Sequence, residues 1–365
     1  MSVPTSTLWE IEPHSLAKHA ILRQYLGAWI GIMGRNNQRI VYLDGFAGPG
    51  RYKGGEKGSP IIALEIGIDH HKKGNLNEIT YVFIEDNEDR FKHLEAEIKN
   101  YSLPATFVTK VEKNNFDTTI KTILDRLENR GAKLAPTFAF IDPFGYKGAP
   151  YEIIQRLLQN EKTEVFINIM VEPINRFLNH PDLALRNHIV DLYGTDKVLQ
   201  INNSCGNGIQ QLRELYQSQL EKCAKFVRYF EMRDSSNRVI YYLFFATNNR
   251  LGHIKMKTAF WQIDKLTGYR FSDRTNPNQM VLFDEDPQSF FKKFLMNKYK
   301  NGECISFSKA AQIIEDETAY TESHLRNALK RLEAEGCICV QPSKQNGKKR
   351  IGKTFPKETL IEFKW

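Results

Sequence analysis

A glycine-rich segment, Asp44-Gly-Phe-Ala-Gly-Pro-Gly50, directly follows an apolar run at 40–43 that predicts a buried strand. Glycine has no Cβ, so a ligand can approach the main chain closely at such a loop. Asp44 stands at the carboxyl end of the strand, where open α/β sheets bind their ligands. The segment therefore predicts a ligand-binding loop, and its carboxylate favours a ligand that carries an amino group.

Two familiar nucleotide-binding loops do not fit this segment. The dinucleotide fingerprint G-x-G-x-x-G is absent in this spacing, and Asp44 would repel a pyrophosphate. The P-loop, G-x-x-x-x-G-K-[ST], needs a lysine and a hydroxyl after its last glycine, whereas Arg51 and Tyr52 follow Gly50 here. Both classes of loop are therefore disfavoured.

The segment resembles, residue for residue, motif I of the class I S-adenosylmethionine-dependent methyltransferases. In that motif, acid-x-Phe-Ala-Gly-x-Gly, the acid serves the methionine end of the cofactor. The resemblance implies S-adenosyl-L-methionine as the cofactor, with Asp44 at its amino-acid end. It also implies that the rest of the loop surrounds the cofactor: Gly45, Phe46, Ala47, Gly48 and Gly50.

Two later segments extend the implied cofactor site. Glu85 ends the second predicted strand about 40 residues after Asp44, where the resemblance implies a carboxylate that accepts hydrogen bonds from both ribose hydroxyls. Phe116 and Asp117 occupy the place where such enzymes hold the adenine. Simpler explanations stay open: Glu85 in a solvated loop or at a helix N-terminus, where carboxylates are favourable without a ligand, and Asp117 as a helix cap.

The fourth predicted strand ends in Asp142-Pro143-Phe144-Gly145-Tyr146. This ending is similar to motif IV of the amino-methylating enzymes, usually [D/N/S]-P-P-[Y/F/W]. The resemblance implies a target amine bound by the Asp142 side chain and the Pro143 carbonyl, with Phe144 or Tyr146 stacked on a base. Phe144 and Gly145 depart from the usual pattern, so the class of acceptor stays open. The alternative is a plain Asx-Pro turn that ends a buried strand.

An insertion follows the glycine loop. Residues 51–58 lie between Gly50 and the helix predicted at Ser59-Pro60, whereas a typical methyltransferase enters that helix almost at once. The insertion predicts either a lid with glycine hinges or a domain whose cofactor function has changed.

Features along the whole chain resemble the three-Cys-motif partner family, TcmP. They are Asp44–Gly50 with Gly58-Ser-Pro60, Lys18-His19-x-Ile21-Leu22 with Tyr25-Leu26 and Trp29, Phe140–Gly145, and Met256-Lys257-x-x-Phe260-Trp261. The family resemblance implies a partner protein that carries a three-cysteine radical S-adenosylmethionine motif. It implies a methyltransferase-like domain in this chain more firmly than methyl transfer itself.

The elements that must position these residues alternate between strands and helices. Apolar runs at 40–43, 81–84, 105–109, 137–141 and 164–170 alternate with helical patterns, which predicts a doubly wound, Rossmann-like α/β fold with a mostly parallel sheet. Two further strands flank Asp234-Ser-Ser-Asn237, a hairpin signal that adds an antiparallel edge. We expect residues 1–272 to form this domain, with a helical insertion at about 172–222, and residues 273–286 to form a linker.

Residues 287–365 predict a winged helix-turn-helix domain, with three short helices and a hairpin wing around Asn346-Gly347. The third helix places Leu325, Leu329 and Leu332 on one face. Its other face, together with the wing, predicts a nucleic-acid surface formed by Ser323, Arg326, Asn327, Lys330, Lys344, Lys348, Lys349, Arg350 and Lys353. Two alternatives stay open: a winged helix that binds protein, and a solvated lysine-rich edge.

The composition limits which binding partners and which cellular compartment are compatible with the chain. The 365 residues carry a formal charge of +8, and 15 basic against 9 acidic side chains in residues 287–365 place +6 of it there, which suits DNA or RNA. Five cysteines without C-x-x-C indicate neither a disulfide framework nor a metal site. No long apolar run or signal sequence is present, so we expect a cytoplasmic protein with no membrane partner.

Two functions are compatible with the sequence. The first is a methyltransferase that acts on nucleic acid. The second is a catalytically inactive methyltransferase-like adaptor, which binds nucleic acid for the radical S-adenosylmethionine partner. The altered Phe144-Gly145 and the insertion at 51–58 are the reasons to keep the second.

Overall fold

The computed structural model describes residues 6–145, 147–178, 180–201, 206–265, 267–273, 287–341 and 354–365. The chain divides into two compact units. The first comprises Met1–Asp264 and Tyr269–Thr275, and the second comprises Lys265–Gly268 and Asn276–Trp365. No helix among the described residues combines the length and the hydropathy needed to cross a membrane.

Among the residues described above, the first unit is built on an eight-stranded sheet with the order β3-β2-β1-β4-β5-β7-β6-β8. Strands β1 to β5 are parallel, and the order reverses between β1 and β4, which is the point where such sheets bind ligands. The strands are β1 Arg39–Asp44, β2 Glu78–Ile84, β3 Phe107–Glu112, β4 Thr137–Ile141, β5 Thr163–Ile169, β6 Phe226–Arg233, β7 Val239–Thr247 and β8 Arg270–Ser272. The predicted doubly wound, mostly parallel sheet is confirmed.

The antiparallel edge is also confirmed. Strand β7 pairs antiparallel with β5 and forms a hairpin with β6 across the predicted turn at 234–237. Every residue of β4 and β5 is buried, which explains their continuous apolar runs. Strand β3 lies at the other edge and alternates between more and less buried side chains.

Helices cover both faces of this sheet. One core cluster joins α1, α2, α3 and α9 to the sheet, and a second cluster joins α4 to α8 to its other face. The helices are α1 Pro13–Asn36, α2 Ser59–Lys72, α3 Glu88–Lys99, α4 Phe116–Asn129, α5 Tyr151–Leu158, α6 Val171–Phe177, α7 Leu183–Tyr193, α8 Gly208–Leu220 and α9 Arg250–Ile263. The segment predicted as a helical insertion thus contains α6, α7 and α8.

In the second unit, the described residues form three helices and a three-stranded antiparallel sheet of order β10-β11-β9. Phe291, Ile314, Leu325, Leu329 and Phe363 contribute to a core of its own. The elements are α10 Pro287–Lys298, β9 Cys304–Ser306, α11 Phe307–Glu317, α12 Glu322–Ala334, β10 Ile338–Val340 and β11 Leu360–Phe363.

Strand β10 pairs with Leu360–Phe363, a strand that the sequence pattern does not indicate. The predicted wing hairpin, which pairs residues 338–341 with 349–355, stays a prediction. Thr354 and Phe355 lie outside the strands, and residues 342–353, with the predicted Asn-Gly turn, lie outside the described residues.

Candidate functional site

Asp44 ends β1 inside the protein, with no exposed surface. The Tyr42 hydroxyl donates to its Oδ2 at 3.1 Å, the Phe46 amide donates to its Oδ1 at 3.4 Å, and the Ser59 hydroxyl donates to it from the start of α2. Burial raises the pKa of Asp44 to about 7, and the three hydrogen bonds lower it only in part. The carboxyl group therefore changes its charge near neutral pH.

The loop after Asp44 needs its glycines for two different reasons. Gly48 and Gly50 have φ angles of +64° and +83°, which side-chain-bearing residues rarely adopt. A Cβ at Gly50 would also meet Leu94 at 2.9 Å, and one at Gly45 would meet the Phe116 ring at 2.6 Å. The loop is therefore packed closely against α3 and the start of α4.

Glu85, which directly follows β2, connects its strand to the glycine loop. Its Oε2 accepts a hydrogen bond from the Gly48 amide at 2.8 Å, and its Oε1 accepts one from the Asn87 amide at 2.9 Å. The side chain is 6% exposed, and burial raises its pKa. Each carboxylate oxygen can accept a further hydrogen bond, so Glu85 keeps capacity for a ligand.

The structure places Phe116 and Asp117 differently with respect to the loop. Phe116 is buried at the start of α4 and stacks on Phe46, with ring centroids 5.6 Å apart. The Asp117 side chain is half-buried and accepts a hydrogen bond from the Thr118 amide at 2.8 Å. Phe116 thus adjoins the loop, while Asp117 bonds within its own helix.

Asp142, which follows β4, is held by two side chains that the sequence did not assign to the site. Its Oδ2 forms an ion pair with Lys18 of α1 at 2.5 Å, and its Oδ1 accepts a hydrogen bond from the Asn168 amide group at 2.8 Å. Lys18 and Asn168 are buried. Asn168 interrupts the apolar strand Val165–Ile169, and a polar side chain in such a strand was the available signal.

A cavity of about 270 Å³ adjoins Asp142. Pro143 and Gly145 contribute to its wall, which also includes Trp9, Lys18, Tyr52, Asp142, Phe144 and Asn168. Tyr146 lies outside the described residues. The volume is near the lower end of the range for small-molecule sites, roughly 300–1,000 Å³.

Three aromatic rings from separate segments meet at this cavity. The Trp9 ring lies edge-on to Tyr52 at 5.5 Å and to Phe144 at 5.7 Å, and the Arg90 guanidinium lies 4.9 Å from the Trp9 ring. The insertion at 51–58 carries Tyr52 and closes as a small hairpin with a bridge between Arg51 and Lys57. The Lys53 amide donates to the Trp9 carbonyl at 2.9 Å, which joins the insertion to the N-terminal segment.

A further buried carboxyl group, that of Glu164, lies at the opposite end of the sheet, where β5 begins. Glu164 accepts a hydrogen bond from the Tyr25 hydroxyl and another from the Thr247 hydroxyl, the latter at 3.0 Å. Burial raises its pKa to about 7. Its sequence context, within the apolar run at 164–170, did not mark it as a site residue.

In the second unit, α12 separates the predicted surface residues into two groups. Ser323, Asn327 and Lys330 are exposed. Arg326 instead donates to Glu322 at 2.6 Å and to the Phe355 carbonyl at 2.8 Å, and lies 4.2 Å from the Phe307 ring. The predicted wing residues lie outside the described part of the chain: Lys344, Lys348, Lys349, Arg350 and Lys353.

No protein-family model and no curated protein matches the chain. Three similar solved structures are an O-methyltransferase from Bacillus cereus in complex with SAH, Trm1 from Pyrococcus horikoshii with S-adenosyl-L-methionine, and the N-terminal domain of human METTL16 in complex with SAH. Their sequence identities are 13%, 13% and 12%, and their TM-scores are 0.36, 0.33 and 0.34. The matches cover 65%, 69% and 68% of this chain, and 82%, 60% and 75% of the respective structures. TM-scores this low establish no common fold and say nothing about the function of this chain.

Proposed function

We propose that this chain is an S-adenosylmethionine-dependent methyltransferase that acts on nucleic acid. The observation that carries the proposal is the pair of buried carboxyl groups, Asp44 and Glu85, at the ends of two adjacent parallel strands. The Gly48 amide joins Glu85 to the glycine loop that begins at Asp44. The pair stands beside the point where the strand order reverses, and the acceptor cavity begins at Asp142 on the next strand.

The chemistry of these groups suits S-adenosylmethionine. The ionised Asp44 attracts an amino group, and the remaining lone pairs of Glu85 accept hydrogen bonds from ribose hydroxyls. A Cβ at Gly48 would meet the Trp9 ring at 3.9 Å, an ordinary van der Waals distance, so the loop is less tightly packed there than at Gly45 and Gly50. When bound, the cofactor would supply a methyl group already activated by a sulfonium. The protein then contributes mainly the position of the acceptor, which Asp142 and the aromatic rings provide.

The exposed face of α12 supports nucleic acid as the partner. Ser323, Asn327 and Lys330 are exposed and are of residue types that can contact bases and phosphates in major grooves. We propose that the second unit is a winged helix that presents this face, with the basic segment at 344–353 as its wing. Arg326 is not included in this proposed face, because three of its five N–H groups bond to Glu322 and Phe355 within the unit.

Calorimetric titration of the full chain with S-adenosylmethionine and with S-adenosylhomocysteine tests the proposal. We expect submillimolar binding, weakened about tenfold or more by Asp44→Asn, because a charge-assisted contact is lost. Asp191→Asn, at an exposed carboxylate of α7, is the matched control and should bind as the wild type does. If neither S-adenosylmethionine nor S-adenosylhomocysteine binds, the enzymatic proposal is wrong.

The adaptor function has an observation of its own in favour. Asp44 has no exposed surface, and both Glu85 oxygens accept main-chain hydrogen bonds, so the loop is closed by the protein's own groups. In this alternative the chain delivers its three-Cys-motif radical S-adenosylmethionine partner to nucleic acid without transferring a methyl group. Co-purification of the two proteins, together with absence of cofactor binding and of methylated product, would favour it.

A further inference from the structure

The Asn168 side chain has one polar atom without a partner in the described structure. Asn168 is 3% exposed, and its amide group is directed at Asp142 Oδ1, 2.8 Å away, and at the Met170 sulfur, 3.6 Å away. A carboxylate only accepts hydrogen bonds, so the Asn168 NH₂ group must face Asp142. Its Oδ1 is left buried without a hydrogen bond, although the residue lines the cavity.

A buried acceptor without a donor costs free energy, so its persistence needs an explanation. Support of Asp142 explains only the NH₂ group of Asn168. The neighbouring strand residues Val165, Phe166, Ile167 and Ile169 are apolar, so they offer no side-chain donor. Lys18 and Tyr52 also line the cavity, but no described protein group donates to Asn168 Oδ1, so a donor that enters through the cavity can complete it.

Two acceptors consequently lie side by side at the cavity wall. Asp142 uses one lone pair of each oxygen, on Lys18 and on Asn168, and keeps the others for a ligand. Asn168 Oδ1 supplies the second acceptor. A primary amino group has two N–H bonds and can satisfy both, whereas a hydroxyl has one hydrogen and a dialkylated amine has none.

We propose that Asn168 is an acceptor-binding residue that, together with Asp142, selects the exocyclic NH₂ group of a nucleobase. The proposal rests on the proposed function and names its substrate class. The rings of Trp9, Tyr52 and Phe144 favour a base over an aliphatic carboxamide, because a planar aromatic group packs on aromatic side chains. Phe144 is 39% exposed and so presents a free ring surface.

Ligand-observed NMR with the full chain and S-adenosylhomocysteine tests this binding without turnover. The probes are adenosine, purine riboside, which lacks the amino group, and N6,N6-dimethyladenosine, which lacks its N–H bonds; cytidine and N4,N4-dimethylcytidine form a second series. We expect the amino nucleoside of at least one series to bind about tenfold more tightly than its counterparts. Equal binding within both series would overturn the proposal, and would assign the Asn168 oxygen to water.

Asn168→Leu tests the residue itself, because leucine has a similar size and no polar atom. We expect the variant to lose the discrimination between amino and dimethylamino probes, while Asn100→Ala, at an exposed helix end, keeps it. If Asn168→Leu does not fold, the comparison with purine riboside in the wild-type protein still decides. Retained discrimination in a folded Asn168→Leu would contradict the assignment.

Two further outcomes separate this proposal from the proposed function. Binding of S-adenosylhomocysteine without discrimination among the nucleosides would overturn the role of Asn168 alone. Preferential binding of a glutamine-containing peptide over every nucleoside would overturn the nucleobase assignment and indicate a protein substrate.

Discussion

Asp44 and Glu164 are buried carboxyl groups whose pKa values are both raised to about 7 by burial. Their surroundings differ. Asp44 stands at the carboxyl end of β1 beside the glycine loop, whereas Glu164 stands where β5 begins and accepts from the hydroxyls of Tyr25 and Thr247. We therefore propose that Asp44 binds a ligand and that Glu164 supports the packing of α1 against the sheet.

The charge of Glu164 makes stability depend on pH. Its folded-state pKa of about 7 exceeds the ordinary 4.5, so the folded protein holds a proton that the unfolded chain releases. The free energy of unfolding therefore falls as pH rises from about 4.5 to about 7, by up to roughly 3 kcal/mol. Glu164→Gln removes this loss, so its stability relative to wild type should be greater at pH 8 than at pH 5.

Urea denaturation at the two pH values measures this difference. Glu152→Gln, at an exposed carboxylate of α5, should show no such pH-dependent gain. If Glu164→Gln changes the free energy of unfolding by the same amount at pH 5 and pH 8, then burial does not keep the Glu164 carboxyl group protonated.

Cofactor affinity should follow the charge of Asp44. Below pH 7 the carboxyl group is protonated and no longer attracts an amino group, so the affinity should fall about tenfold between pH 8 and pH 6. Calorimetry across this range should give a weak and nearly flat profile for Asp44→Asn. Glu85 also has a raised pKa and could contribute to the loss of affinity. If Asp44 is its origin, the Glu85→Gln variant should still lose affinity between pH 8 and pH 6. A drop that survives Asp44→Asn would exclude Asp44 as its origin.

At the scale of elements, the glycine loop depends on its packing against α3 as well as on its backbone angles. Gly50 and Gly55 both have positive φ, +83° and +89°, but only the Cβ added at Gly50 would meet another residue, Leu94 at 2.9 Å. The two positions therefore separate backbone strain from steric contact.

Gly50→Ala should destabilise the protein more than Gly55→Ala. Both substitutions strain the backbone, and the first also forces Leu94 to move, which adds about 1–3 kcal/mol. Chemical denaturation of the two variants gives the difference directly. Equal losses of stability in the two variants would mean that Leu94 can move aside without a cost in free energy.

The parallel strands and the β6–β7 hairpin could be predicted because their signals are local: apolar runs and a polar turn. Strand β11 could not be predicted in this way. It is four residues long, and residues 341–359 separate it in sequence from its partner β10. Asp142 belongs to a recognisable site motif, whereas the sequence patterns that include Lys18 and Asn168 did not indicate contact with Asp142. Lys18 and Asn168 reach it only after α1 has packed on the sheet and β4 has paired with β5.

At the scale of the whole molecule, the charge is unevenly distributed. Residues 287–365 carry +6 of the net +8, and the exposed face of α12 belongs to that part of the chain. Polyanion binding through this unit would release counterions, so affinity should fall as the salt concentration rises.

Lys330→Gln in the full chain should weaken binding to duplex DNA or RNA and reduce the slope of log affinity against log salt by about one. Fluorescence anisotropy at several salt concentrations measures both quantities. Lys121→Gln, at an exposed lysine of α4 in the other unit, should leave the slope unchanged. An unchanged slope in a combined Asn327→Ala and Lys330→Gln variant would remove α12 from the interface.

The position of Trp9 has a practical consequence. Trp9 is one of four tryptophans, and its ring borders the cavity against Tyr52, Phe144 and the Arg90 guanidinium. Indole emission is sensitive to such neighbours, so entry of a ligand should change the intrinsic fluorescence of the unlabelled protein. Subtracting the emission of a Trp9→Phe variant from that of the wild type would isolate the contribution of Trp9 from those of the other three tryptophans.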